Sequence, residues 1–375
     1  MSNSNIIKIS VRNLIEFVMR SGDIDNSYRS YDRALEGIIA HNKVQKEYKD
    51  GYEKEVPFVD LTELEGISFL VSGRCDGLYE DENYRMIDEI KSTTRLEDDL
   101  DPEYNQLHWA QAKVYGYFYM KKNEVKSIDV QLTYINLDED YIKRHKNTYG
   151  FEELKAFYYD LLDKYLDFSK RLIEWKKIRN KTLKELDFPY KSYRKGQRKM
   201  AVGIYEAILQ RKNIFIDAPT GIGKTMSSMF PSIKAIGEGK AEKIFYLSAR
   251  TTTQKEAIKS INLLEKAGSR LKFTVITAKE KSCINDEKVK CNPKDCPFAR
   301  GHFDRINDAI IDIYDNEDSF DKDTIEEYSR KYKVCPFEFA LDMSLYSDLI
   351  ICDYNYAFSP GVYLKRFFDD YEDPY

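Results

Sequence analysis

Apolar residues recur at helical spacing over residues 10–21 and 28–49, and Ser10 stands where a helix N-cap belongs. Residues 67–80 and 84–93 then change to strand-like patterning, joined by the polar turn Glu80-Asp81-Glu82-Asn83. A helical stretch over 104–121, an alternating strand over 128–136 and a long helix over 151–179 follow. A charged stretch near 176–188 closes at Pro189, which predicts a domain boundary there. Beyond it the pattern predicts helix 194–210, strand 213–217, a glycine-rich turn, helix 224–237 and strand 243–248. Strand, loop, helix and strand in that order predict an α/β fold with a parallel sheet.

The chain has 375 residues, enough for two domains with full cores. No uninterrupted apolar run approaches the ~18 residues of a membrane helix. The N-terminus lacks the basic flank and apolar stretch of a signal peptide. The expectation is a cytoplasmic protein with no membrane partner. A net charge of −5 does not advertise nucleic-acid binding, yet a local cleft can bind DNA whatever the overall charge. Lys191, Arg194, Lys195, Arg198 and Lys199 form one local basic stretch. Of the six cysteines, Cys75 and Cys352 fall alone in strand-like segments and read as buried small hydrophobes. Cys283, Cys291, Cys296 and Cys335 fall in one region, which in a cytosolic chain suggests a metal or cluster rather than disulfides.

Gly73-Arg74-Cys75-Asp76-Gly77 lies late in one hairpin strand, and the facing strand carries Ile87-Asp88-Glu89-Ile90-Lys91. Glu89 and Lys91, two apart, point to one face. Pairing near the turn brings Asp76 close to Glu89. Two adjacent carboxylates are costly without a cation between them, and hard oxygen donors suit Mg or Mn. Such an ion lowers the pKa of bound water and stabilises a phosphodiester under attack. This constellation resembles the RecB-like branch of the PD-(D/E)xK nucleases over about residues 1–175. Gly37-Ile38-Ile39-Ala40-His41 supplies a helical histidine, and Gln111 to Tyr115 gives the branch's Q-x-x-x-Y motif. The resemblance implies His41, Asp76 and Glu89 as metal ligands, Lys91 as catalytic base or stabiliser, and Gln111 and Tyr115 as DNA-facing supports.

In the second half, Ala218-Pro219-Thr220-Gly221-Ile222-Gly223-Lys224-Thr225 joins the expected strand to the expected helix. Its glycines let backbone N–H groups face phosphate oxygens, Lys224 reaches the outer phosphates and Thr225 holds the Mg of ATP. Ala218 replaces the usual first glycine, as is common in superfamily-two helicases. Arg194 and Gln197 resemble a helicase R-x-x-Q element on the adenine side. Ser248, Arg250, Thr251 and Gln254 resemble helicase motif Ia, which contacts single-stranded DNA. Four cysteine thiolates can hold zinc or a [4Fe–4S] cluster, and the two tight C-x-x-C knuckles usual in zinc ribbons do not occur here. Their position, before the strand Asp348-Leu349-Ile350-Ile351-Cys352-Asp353, is where the XPD and DinG helicases carry an iron–sulfur insertion.

These resemblances imply a nuclease-like α/β domain over 1–178, a linker over 179–189 and a RecA-like parallel-sheet helicase domain over 190–375. The iron–sulfur insertion would span about 280–340. The implied protein is an ATP-dependent DNA helicase–nuclease of repair or processing, with ATP, Mg or Mn and a [4Fe–4S] cluster as cofactors and single-stranded DNA as partner. A non-cleaving first domain that only guides DNA is the alternative. No Asp-Glu-x-His follows the phosphate loop, and Tyr354 after Asp353 breaks the nearest imitation. The chain therefore reads as the front part of such an enzyme, binding ATP but hydrolysing little of it.

Overall fold

The computed structural model describes residues 5–24, 31–48, 50–139, 141–285, 289–359, 362, 364 and 367. For 31–36 and 38 it describes the backbone alone, so the Ile38 side chain and residues 28–30 and 49 of the expected second helix lie outside the described residues. The chain divides into two compact units, one of residues 1–21 and 28–173, the other of 22–27 and 174–375.

The first unit runs β1 (Ile6–Ser10), α1 (Val11–Met19), α2 (Tyr31–Glu47), β2 (Tyr52–Leu64), β3 (Ile67–Glu80), β4 (Arg85–Thr93), α3 (Gln106–Asn123), β5 (Ser127–Asn136), β6 (Ile142–Gly150) and the start of α4 (Phe151–Glu185). Ser10 caps α1 as expected, its hydroxyl accepting the Asn13 N–H at 3.1 Å. Strands β1, β2 and β6 are additions to the expected set. β1 is short, and β2 and β6 are largely solvent-facing.

The sheet runs β1-β3-β4-β5-β6, with β2 also on β3. β2 follows β3 along nearly its whole length, from Leu64↔Ile67 to Tyr52↔Tyr79. A strand has only two edges, so β1 and β4 share the other one. β1 takes Ser68 to Ser72 in parallel and β4 takes Gly77 to Glu80 antiparallel. Among the described residues, 73–76 of that edge have no ladder partner, a gap of roughly 13 Å at ~3.3 Å per residue.

The second unit continues with α5 (Gln197–Gln210), α6 (Lys224–Gly237), β7 (Ile244–Leu247), α7 (Thr251–Lys266), β8 (Phe273–Val275), α8 (Lys279–Ser282), α9 (His302–Asn316), β9 (Ser319–Phe320), α10 (Lys322–Tyr332), α11 (Pro336–Tyr346), β10 (Leu349–Cys352) and α12 (Asn355–Phe358). Its sheet, β7-β10-β8-β9, is parallel at every pairing. The expected α/β class with a parallel sheet in the second half holds. β10 is central and wholly buried, as its run of apolar residues requires.

Two expectations fail. Residues 179–185, read as linker, continue α4, because Leu183 and Leu186 are buried in the second unit's core. Burying each stabilises by about 2 kcal/mol, which outweighs the charged surroundings that suggested a break. Residues 213–217, read as a strand, are extended but unpaired among the described residues. Ile214 and Ile216 are 44% and 38% exposed and Phe215 is 97% exposed. An apolar run forms a strand only against a partner, and none of the described strands flanks it.

Buried Asp348 ties α4 to this second sheet. It accepts from Trp175 Nε1 at 3.0 Å, from the Arg179 guanidinium, and from the Lys272 N–H at 3.0 Å. Removing one partner of such a pair leaves a buried charge uncompensated, at a cost of about 3–5 kcal/mol. Cys75 and Cys352 are fully buried, as expected of small core hydrophobes. No helix among the described residues is long and apolar enough to cross a membrane.

Candidate functional sites

The gap in the β3 edge holds the first candidate site. Where the ladder stops, one Asp76 carboxylate oxygen accepts the Ile90 N–H at 2.7 Å, replacing the strand carbonyl that would otherwise take it. Gln45 on α2 donates to the Asp76 carbonyl at 2.9 Å. Asp76 is thereby fixed opposite Glu89. His41, one turn before Gln45, brings Nδ1 to 3.8 Å from Asp76 Oδ1. Burial lowers its pKa, only partly opposed by the Asp76 charge.

Glu89 is 1% exposed. Lys91 donates to its Oε1, and Oε2 is buried with no hydrogen-bond partner among the described residues. Burial first, then the Asp76 charge, pushes its pKa up to about 8, against the pull of Lys91. Lys91 also donates to Gln111 Oε1 at 3.4 Å, and Gln111 donates to the Tyr115 hydroxyl at 3.5 Å. A Cβ at Gly73 would lie 2.6 Å from that hydroxyl, so glycine there lets Tyr115 close on the gap.

The structure therefore brings His41, Asp76, Glu89, Lys91, Gln111 and Tyr115 into one connected set. The unpartnered Glu89 oxygen and the two carboxylates fit a hard divalent cation. Even so, among the described residues no three His, Cys, Asp or Glu side chains converge closely enough to hold a metal. Sequence reasoning missed Gln45, one turn from His41, and His108, one turn before Gln111. His108 is half-buried between Asn105 and the Tyr134 hydroxyl, and desolvation first, then the Lys91 charge, lowers its pKa to about 3. Asp88 faces the other side of β4, where Thr133, Gln131 and Tyr52 donate to it at 2.6, 3.1 and 3.3 Å. It reads as a satisfied structural acid.

In the second unit Gly221 and Gly223 adopt φ of 84° and 86°, the left-handed backbone that the phosphate loop needs glycine for. Arg194 donates to the Gly221 carbonyl. Gln197 accepts the Arg194 N–H at 3.0 Å, and its Nε2 would lie 2.6 Å from a Cβ at Gly223. Arg194 and Gln197 thus hold the loop from behind. Lys224 folds back to the Ala218 carbonyl at 2.8 Å, and Thr225 opens α6 beside it. Thr220 lies on the exposed arm of the loop. After β7, Gln254 donates to the Ser248 carbonyl at 3.1 Å and the Ser248 hydroxyl accepts the Arg250 N–H at 3.3 Å, closing a turn. Arg250 and Thr251 face solvent, whereas Ser248 is buried.

The cysteines are only partly gathered. Cys296 is buried in a small apolar cluster with Ile24 and Ala299, with Cys335 packed against it. Cys283 is exposed and Cys291 half-buried. Residues 286–288 between them lie outside the described residues. Burial first raises the Cys335 thiol to about 12. A segment not anticipated from sequence closes this region: Ile24 donates to the Ala299 carbonyl at 2.9 Å, and Asp23 accepts the Gly301 N–H at 2.6 Å.

Residues 198–322 match the sequence profile of the DEAD/DEAH box helicase family. A probable ATP-dependent helicase of Methanocaldococcus jannaschii is 41% identical over 46 residues, 12% of this chain and 7% of that protein. The regulator of telomere elongation helicase 1 of Homo sapiens is 22% identical over 222 residues, 46% of this chain and 18% of that protein. The chain spans under a fifth of the length of either curated relative. A solved XPD helicase is similar over 45% of this chain and 29% of its own, at 16% identity and TM-score 0.31. The α/β assignment rests on the strand pairings themselves. The profile match and the two curated relatives support a helicase-type, ATP-using domain that starts near α5.

Two outcomes are expected from these sites. Glu89 has a folded pKa raised from 4.5 to about 8, so the metal-free fold binds a proton that the unfolded chain releases. Stability should fall as pH rises from about 4.5 to about 8, and Glu89→Gln should remove that slope. Denaturant melts in EDTA across this range check it. Lys224→Ala should weaken binding of a fluorescent ATP analogue at least tenfold at unchanged melting temperature, because among the described residues the Lys224 ammonium hydrogen-bonds only to its own loop.

Proposed function

We propose that this chain joins a metal-dependent DNA nuclease to the ATP-binding part of an XPD/DinG-like DNA helicase. The observation that carries the nuclease reading is the Asp76–Glu89 pair at a break in the sheet, with one Glu89 oxygen buried and unpartnered. A Mg or Mn ion held by Asp76, Glu89 and His41 would supply Lewis-acid stabilisation of the phosphodiester and an acidified water. Lys91, fixed by Glu89 and Gln111, stands beside these ligands to take or deliver a proton or to steady the phosphate. Half-buried Gln111, braced from below by the buried Tyr115, would line the path of a strand.

The motor reading rests on the phosphate loop with Arg194 and Gln197 behind it and on the DEAD/DEAH profile match. ATP would bind through Thr220, Gly221, Gly223, Lys224 and Thr225. Single-stranded DNA would pass the exposed Arg250 and Thr251, with Ser248 and Gln254 shaping that turn. Cys283, Cys291, Cys296 and Cys335 are the candidate ligands of a [4Fe–4S] cluster, and the packing of Cys335 against Cys296 supports that grouping.

A second reading, a first unit that guides DNA without cutting it, is favoured by one observation. No three candidate ligands converge among the described residues. End-labelled single-stranded DNA incubated with the full chain and Mn²⁺ separates the two. The nuclease reading expects degradation that falls by about 10²–10⁴ in Lys91→Ala. No degradation by either protein would reject it in favour of the guide, and equal degradation by both would remove Lys91 from the cleavage machinery.

A further inference from the structure

Arg12 is the second residue of α1, in the first turn after the Ser10 cap. β1 pairs in parallel with β3 and ends at Ser10↔Ser72. The first turn of α1 therefore rises at one rim of the unpaired 73–76 gap. Glu89 and Lys91 stand at the other rim, just past the last β3–β4 pair, Gly77↔Asp88. α1 also packs on α3, the helix carrying His108, Gln111 and Tyr115.

The Arg12 side chain is exposed, and among the described residues no hydrogen bond or ion pair holds its guanidinium. Other cations of this unit are engaged. Lys91 binds Glu89, Arg74 binds Glu55 at 2.8 Å, and Lys121 binds Asp60 at 2.6 Å. The field of Arg12 nonetheless reaches the gap, since its charge acts on both Glu89 and His108.

An anionic strand approaching two carboxylates is repelled unless cations offset them. A metal held by Asp76 and Glu89 would offset the charge at the scissile phosphate. A neighbouring phosphate needs its own partner, and a free guanidinium matches two phosphate oxygens in a fork. From this geometry we infer that Arg12 binds a non-scissile backbone phosphate of the DNA strand lying across the Asp76–Glu89 gap. It is a binding residue rather than a catalytic one, and its partner is the sugar–phosphate backbone, so no base preference follows. The inference deepens the nuclease reading and rests on it for the identity of the strand.

The test is anisotropy of a fluorescein-labelled single-stranded oligonucleotide with the full chain in a Lys91→Ala background, in Mn²⁺ over a salt series. Arg12→Ala should weaken binding about five- to tenfold and make the log Kd against log salt slope shallower by about 0.7. Arg12→Lys should keep the slope while recovering part of the affinity. Arg74→Ala should change neither. An Arg12→Ala protein that binds with unchanged affinity and slope would overturn the assignment, as would an equal loss in Arg74→Ala. Cleavage by the Lys91-intact proteins is read separately. Loss of binding in Arg12→Ala beside a wild type that never cuts would sink the nuclease while leaving Arg12 a phosphate contact of a guide. Intact cleavage with an unchanged KM in Arg12→Ala would sink the Arg12 role alone.

Discussion

The first unit is organised around a vacancy in a hydrogen-bond ladder. Among the described residues β3 has a nearly full-length partner in β2 on one edge and two short ones on the other, so four residues of that second edge are left open. Unpaired strand edges are normally covered or blunted. Here the Asp76 carboxylate takes the Ile90 N–H, Tyr115 closes over Gly73, and α1 starts at the far rim. The price of this arrangement is a buried Glu89 that faces another carboxylate with one oxygen unsatisfied. A scaffold that only had to fold would gain by an apolar residue there. The cost makes sense where a cation and a phosphate complete the site.

The second unit solves a different problem. Its central strand is buried on both faces, and Asp348 just before it binds Trp175 and Arg179 of α4. The phosphate loop is braced from behind by Arg194 and Gln197 before any nucleotide arrives. Lys224, meanwhile, rests on its own loop and is free to swing to a phosphate. A rigid backbone cradle with one movable ammonium suits a site that must bind and release ATP.

Much of this was legible in the sequence where periodicity or spacing carried a physical demand. The Glu89–Lys91 alternation fixed which side chains share a face, and the Gln111–Tyr115 spacing placed both on one side of α3. Ser10 marked a helix start, and glycines marked the loop. What stayed hidden depends on partners distant in the chain. The pairing of β1 with β3, which creates the gap and brings Arg12 to it, joins residues some sixty positions apart. The apolar run 213–217 carries a strand signal, yet a strand exists only beside another. The charged surface of α4 suggested a break, and Leu183 within it and Leu186 just past it declare themselves only against the core. The cysteine spacing named candidate ligands but could not gather them, since two pack together through Ile24, a residue far upstream.

The central claim is that the Asp76–Glu89 gap is a cation site. Titration calorimetry of Mn²⁺ into the full chain at pH 7, in two buffers of different ionisation enthalpy, measures it directly. One site that releases a proton on binding, because the ion displaces the proton Glu89 holds, is the predicted result, and it should vanish in Asp76→Ala and in Glu89→Gln. Binding that survives both substitutions, or that releases no proton, would contradict the account.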